Sequence, residues 1–337
     1  MQAFRNFKTQ TWPPKPTFTE ANVPPGSQTG RVFIVTGGNT GIGFELCKIL
    51  FNSGATIYMA SRSKDKATAA IKEIVDGAPK NASGAGQLKF LQLDLGDLKS
   101  VVAAAETFAS QEVKLDVLWN NAGIGANVIA PGERTAQDLE PFFGVHCVGT
   151  LLFTLRLTPF LRAAAATSSP GQARVVWLAS GLMDQSAPPN GVDFKALDKG
   201  LKDRVANYGA SKAGTWFLAR EYGRRHGADG ILSVTLNPGN LRAGAFKGTS
   251  APAYFLMNTF ILHDPVFGAY TELYAGLSPD LKMEHNGTYV IPWGRRRRDS
   301  EMTRKDIVKA MTPEAEGGLG YAMKLWQWCE EHWERHI

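Results

Sequence analysis

The stretch Arg31–Gly43, RVFIVTGGNTGIG, constrains the fold of this chain more than any other. Val32–Val35 is a short run of β-branched and aromatic residues that reads as a strand buried on both faces. Thr36 ends it, and Gly37, Gly38, Gly41 and Gly43 lead into a helical pattern over Phe44–Phe51. A strand that passes into a helix through glycines lets bare backbone approach an anion. The helix N-terminus meets that anion with unpaired N–H groups and a partial positive charge. A dinucleotide pyrophosphate is the guest that fits. The spacing is G-x-x-x-G-x-G rather than G-x-G-x-x-G, so the general fingerprint is not met by itself. The remainder of the chain must supply the partners such a loop needs.

Strand and helix patterns alternate from there on. Ala55–Ala60, Leu88–Leu93, Leu115–Trp119, Arg174–Ala179, Ile231–Leu236 and Gly287–Pro292 read as strands. Asp65–Val75, Leu98–Ser110, Gln137–Arg162, Val205–His226, Pro265–Ala275 and Tyr321–Arg335 read as helices. The alternation predicts an α/β protein with a Rossmann-type, doubly wound, mainly parallel sheet of seven strands and helices on both faces. Such sheets bind ligands at the carboxyl ends of their strands, where Thr36, Arg62, Asp94 and Asn121 all fall. Pro13, Pro14, Pro16, Pro24 and Pro25 exclude a helix or central strand from residues 1–30, which read as an extended arm. Residues 31–293 form a single domain. Within it, 240–264 lacks clear periodicity, holds Phe246, Tyr254, Phe255 and Phe260, and reads as a lid over a substrate. Residues 294–337 read as a basic loop and a helical extension, whose stripe of Leu325, Trp326, Trp328, Cys329 and Trp333 packs on the domain.

Composition removes several classes of function. Three scattered cysteines, Cys47, Cys147 and Cys329, form neither a disulfide frame nor a metal knuckle and read as buried thiols in a reducing compartment. The N-terminus has no apolar signal core, and Arg156 breaks the most apolar helix, so no membrane span is expected and a cytoplasmic location is. The net charge of +6 owes four charges to Arg295–Arg298. Without aromatic residues among them these arginines read as a solvated loop, not a nucleic-acid surface.

The TGxxxGIG loop resembles that of the short-chain dehydrogenase/reductase family, and the resemblance extends over roughly residues 31–293. Asn120–Gly123 matches the family's NNAG segment, and Ser180, Tyr208 and Lys212 fall in its order, one strand apart, with Pro238-Gly239 one strand later. The likeness is greatest to the single-domain branch of retinol-dehydrogenase-like and fungal secondary-metabolism reductases. It implies that Gly37, Asn39, Thr40, Gly41, Ile42 and Gly43 cradle the cofactor. Asp94 and Leu95, Asn121–Gly123, Tyr208, Lys212, Pro238, Gly239 and Leu241 would line the rest of its site. NAD-preferring enzymes carry a carboxylate at the end of the second strand; this chain has Arg62, with Lys64 and Lys66 just beyond. A guanidinium there grips a 2′-phosphate, which points to NADP(H).

Tyr208 and Lys212 are four residues apart, on one helix face. An adjacent ammonium favours the phenolate and lowers the phenol's pKa, suiting it to pass a proton to or from a substrate oxygen. The resemblance implies that Ser180 polarises the carbonyl and that Lys212 also holds the nicotinamide ribose. Two residues depart from the family. His146 stands where an asparagine is usual, and is expected to keep a role in proton relay or fill the water's site, titrating near neutrality. Ala243 replaces a threonine, removing one cofactor bond. The function expected is interconversion of a carbonyl and an alcohol on a hydrophobic small molecule, by a chain that can also be a homo-oligomer. The alternatives are a non-redox dehydratase, isomerase or cyclase on the same fold, and a dinucleotide-binding regulator.

Overall fold

The computed structural model describes residues 2–78, 85–130, 132–242 and 251–337. The apolar run after Arg31 forms β1 (Val32–Thr36), buried along its whole length. β2 (Thr56–Ser61), β3 (Gln87–Gln92), β4 (Val117–Asn120), β5 (Ala173–Leu178), β6 (Ile231–Leu236), β7 (Thr288–Ile291) and β8 (Arg295–Arg297) complete one sheet. Its order is β3-β2-β1-β4-β5-β6-β7-β8. Neighbours pair in parallel except β7 with β8. The winding reverses between β1 and β4, which opens a crevice at their carboxyl ends.

The helices are α1 (Gln2–Thr11), α2 (Gly41–Asn52), α3 (Lys64–Asp76), α4 (Leu98–Ala109), α5 (Pro141–Phe143) and α6 (Thr150–Ala165), then α7 (Leu182–Ser186) and α8 (Arg204–His226). After them come α9 (Ala251–Phe260), α10 (Pro265–Leu277), α11 (Lys305–Met311) and α12 (Tyr321–Glu334). Leu46, Leu50, Ile74 and Leu273 of α2, α3 and α10 cover one face of the sheet. Phe108, Leu157, Phe217 and Leu325 of α4, α6, α8 and α12 cover the other. Between α5 and α6 the chain widens into a π-helical turn, Gly144–Gly149, which carries His146. The stretch Pro141–Ala165 is long and apolar enough to cross a membrane, but 72% of its apolar window is buried as core helix.

Three expectations are corrected. Residues 2–11 are helical, not extended, because the prolines begin only at Pro13 and leave the preceding turns free. The arginine run is not a solvated loop but an eighth, antiparallel strand. Arg296 points outward, while Arg297 is buried and donates to Asn6 Oδ1 at 2.9 Å, the alternation a strand imposes. Residues 251–260, without periodicity in the sequence, form α9. In α12, Leu325, Trp326, Cys329 and Trp333 are buried against the core, with Trp328 at its margin.

Candidate active site

The crevice is built from the backbone upward. Thr36 Oγ1 accepts from the Ala122 N–H at 2.9 Å and donates to the Trp119 carbonyl at 3.2 Å, tying the ends of β1 and β4 together. Asn121 Nδ2 donates to the Thr36 carbonyl at 2.7 Å. That amide lies 2.6 Å from the position a Cβ on Gly43 would take, and 3.2 Å from one on Gly37. Both residues must be glycine for Asn121 to hold the loop, and Gly37 is in addition left-handed at φ +68°. Asn39 lies in the turn, and Thr40 caps α2 with extended backbone but no side-chain bond. The N-terminus of this twelve-residue helix, at Gly41-Ile42-Gly43, is thus left to an outside acceptor.

Arg62 stands exposed one residue beyond β2, its carbonyl accepting from Gln92 Nε2 at 2.8 Å. Asp94, two residues beyond β3, accepts from the Gly96 N–H at 2.9 Å. Leu95 is buried, and its carbonyl lies 2.2 Å from where a Cβ on Gly149 would stand.

Tyr208 and Lys212 rise from α8 toward the ends of β4 and β5. Lys212 Nζ donates to the Leu178 carbonyl at 2.9 Å and lies 5.7 Å from the Tyr208 ring centre. Burial pushes its ammonium down to about 8. Burial also pushes the Tyr208 phenol up to about 12, with the Ser180 hydroxyl on its flank pulling the other way. This corrects the expected lowering by Lys212: loss of solvent sets the direction, and the ammonium is turned to a backbone carbonyl. Ser180 itself accepts from the Leu182 N–H at 3.2 Å.

His146 is buried, and both of its nitrogens are engaged. Nε2 lies 3.0 Å from the Ile124 N–H, which can only donate, so Nε2 is the bare nitrogen. The ring proton therefore sits on Nδ1 and is given to Ser211 Oγ at 2.9 Å. Ser211 in turn donates to the Tyr208 carbonyl at 2.8 Å. Burial first, and the Lys212 charge second, hold the imidazole well below its ordinary range. The expected titration near neutrality is thereby overturned; the ring is a neutral brace between the end of β4 and the backbone of Tyr208. Gly123 makes this possible, since a Cβ there would stand 3.0 Å from His146 Nε2 and 3.3 Å from Lys212 Nζ.

On the far side, Asn237 Oδ1 accepts from the Gly239 N–H at 3.1 Å just beyond Pro238. Gly239 adopts φ +93° with the Trp293 ring 2.7 Å from where a Cβ would be. Leu241 is buried, and its short bridge to His263 closes the base of the segment expected to be a lid. Ala243 and Phe246 lie outside the described residues. Sequence reasoning missed Ser211, although it adjoins Lys212, and missed Gln10, whose Oε1 accepts from Asn237 Nδ2 at 2.9 Å. No local signal marks Gln10, which reaches the site from the other end of the chain.

A doubly wound sheet with a glycine turn, a free helix N-terminus and Asn121–Gly123 at the winding reversal defines a dinucleotide-binding α/β protein. The cradle a Cβ would fill at Gly37, Gly43 and Gly123 fits such a group. A family model for short chain dehydrogenase matches residues 31–190. The short-chain dehydrogenase/reductase iacJ of Pestalotiopsis fici is 45% identical, over 97% of this chain and 97% of its own. One from Phomopsis amygdali is 41% identical over 99% and 98%. Among solved structures, an uncharacterised protein from Mycobacterium paratuberculosis superposes with a TM-score of 0.64 at 26% identity, covering 94% of this chain and 97% of that one. The chain belongs to the short-chain dehydrogenase/reductase family, oxidoreductases that bind a nicotinamide dinucleotide.

Proposed function

We propose that the protein is an NADP(H)-dependent oxidoreductase that interconverts a carbonyl and an alcohol on a hydrophobic small molecule of fungal secondary metabolism. The observation that carries this reading is the convergence of Ser180, Tyr208 and Lys212 beside Gly123, at the mouth of the glycine-lined crevice. The turn Gly37–Gly43 and the start of α2 would hold the pyrophosphate, Asp94 the adenine, and exposed Arg62 the 2′-phosphate. Asn121–Gly123 and Pro238–Leu241 would line the nicotinamide end. The dinucleotide, when bound, supplies or takes up the hydride.

The protein's own part is proton transfer and orientation. With its pKa raised to about 12, Tyr208 keeps its proton through the neutral range and can give it to a carbonyl oxygen. Ser180 donates a second hydrogen bond to that oxygen and steadies the negative charge that develops there. Lys212 presents its charge below the phenol, and His146 positions Tyr208 through Ser211. An apolar substrate suits Tyr254 of α9, next to the Leu241–His263 bridge.

The test is oxidation of NADPH and reduction of NADP against a panel of apolar ketones, aldehydes and alcohols, with wild type and Tyr208→Phe. Turnover by wild type and its loss in the variant, with NADPH binding retained, is the expected result. A variant that keeps more than a few per cent of wild-type turnover removes Tyr208 as the acid and returns the chain to the non-redox alternatives.

A further inference from the structure

Helix α1 turns several polar side chains toward the protein: Asn6 and Thr11 are buried, Asn6 Nδ2 donates to Thr303 Oγ1 at 2.6 Å, and Gln10 accepts from Asn237. Arg295 Nη1 donates to Thr9 Oγ1 at 2.7 Å from the same side. Phe7 of this helix is 44% exposed, and Trp12, just past its end, 50%. An ordinary surface helix has the opposite arrangement.

These outward residues continue into α9. Trp12 stacks edge-on against Phe7 at 6.2 Å, and its Nε1 donates to the Phe260 carbonyl at 2.9 Å. From α9, Phe255, Leu256 and Phe260 are 68%, 58% and 64% exposed. Among the described residues, the exposed Phe, Tyr and Trp side chains all belong to α1, to α9 or to the residue just past α1. The charges that these two segments carry are all basic. The first nineteen residues carry Arg5, Lys8 and Lys15 and no carboxylate, and α9 carries no charged residue. Lys8 and Lys15 are exposed, whereas Asp264 at the base of the segment is paired with Arg242.

We infer that α1 and α9 form a docking face for an anionic lipid surface, on which the protein lies without spanning it. Rings that bury into the headgroup boundary, on segments whose charges are all basic, are what such a surface selects. A second copy fits less well, because a two-fold contact through this face would bring its lysines toward one another. Gln10 bonds to Asn237 immediately before Pro238-Gly239, so the docked face adjoins the mouth of the site. The inference does not rest on the proposed reaction, and binding tests it alone.

The experiment is co-sedimentation of the full chain with vesicles of phosphatidylcholine, with and without phosphatidylserine, at low and high salt. Wild type should bind the phosphatidylserine vesicles and be released by salt. Phe255→Ser, which removes an exposed ring with no hydrogen bond, and Trp12→Ser should each weaken partitioning about tenfold. Lys8→Glu with Lys15→Glu should abolish the preference for phosphatidylserine. Thermal melts of Phe255→Ser should match wild type, which keeps the test sound should Trp12→Ser loosen α1. Wild type that stays in the supernatant with both vesicles overturns the inference, as does Phe255→Ser binding like wild type. A concentration-dependent dimer that Phe255→Ser dissociates also overturns it, and gives the face to a second copy.

Discussion

Lys212 sets function against stability, and the conflict can be measured. Its Nζ is buried with a single acceptor, the Leu178 carbonyl, and burial brings it from 10.5 down to about 8. Between those values the unfolded chain keeps its proton while the folded chain has lost it. Wild-type stability therefore rises with pH through that window, by about 3 kcal/mol in all. Below it both states are charged and the full desolvation cost is present. Lys212→Met keeps an unbranched stem without the charge. It also strands the Leu178 carbonyl, at a cost of about 1–3 kcal/mol that does not vary with pH. The level of the variant's stability is thus a difference between similar quantities, but its slope is not. Melts of both proteins from about pH 7 to 10.5 should show wild type gaining on the variant by ~4–5 °C across the window, from the specific unfolding entropy of a chain this long. Parallel curves would refute the reasoning, because they would mean the ammonium is not desolvated.

Arg62 should make NADP(H) bind at least about tenfold more tightly than NAD(H), or 1.4 kcal/mol, and Arg62→Asp should narrow or reverse that gap; equal affinities in the wild type, measured by calorimetry, would exclude the role. His146 should contribute no ionisation near pH 6–7 to turnover, and His146→Asn should lower the melting temperature while leaving the shape of the pH–rate profile unchanged. An ionisation in that range that the Asn variant removes would restore the ring to a proton relay. Glu272 of α10 is buried, has one unpartnered oxygen, and is pushed up to about 8 by burial alone. It stays protonated in the fold while the unfolded chain ionises from about 4.5, so stability falls as pH rises from there to about 8. Glu272→Gln should match wild type in melts near pH 4.5 and exceed it by at most about 5 kcal/mol above pH 8; a constant difference would show that the carboxyl is solvated.

What was legible in the sequence is what neighbours in the chain decide. β6 falls on Ile231–Leu236 as its run of apolar residues indicates, and the other parallel strands shift only by a residue or two at their ends. Except for the edge strand β3, their burial on both faces makes them mostly apolar runs, and the glycine turn is specified by backbone freedom alone. Protonation states were not legible. The phenol of Tyr208 follows how much water α8 and β5 exclude, and the tautomer of His146 follows donors from Ile124 and Ser211, neither of which sequence spacing reveals.

The same distinction explains why the part that the N-terminal helix and β8 take in the cover of the site escaped the sequence while its floor did not. The floor is made by β1, β2, β3 and β4, each followed within a few residues by the group it presents: Gly37, Arg62, Asp94 and Asn121. The cover is made by segments from opposite ends of the chain. Asn6 meets Arg297, Thr9 meets Arg295, and Trp12 meets the carbonyl of Phe260. The two arginine pairs are satisfied only once β8 is in place, and the Trp12 pair only once α9 is, so no member has a periodic signature. Four consecutive arginines suggest a solvated loop until a neighbouring helix offers carbonyls and amides to every second one. A helix that turns Asn6, Thr9 and Gln10 inward defeats any reading that assigns only apolar residues to the core, because hydrogen bonds to distant partners hold those positions. That inversion also leaves Phe7 and Trp12 outside, beside the mouth of the crevice, where they can act on something other than the protein's own interior.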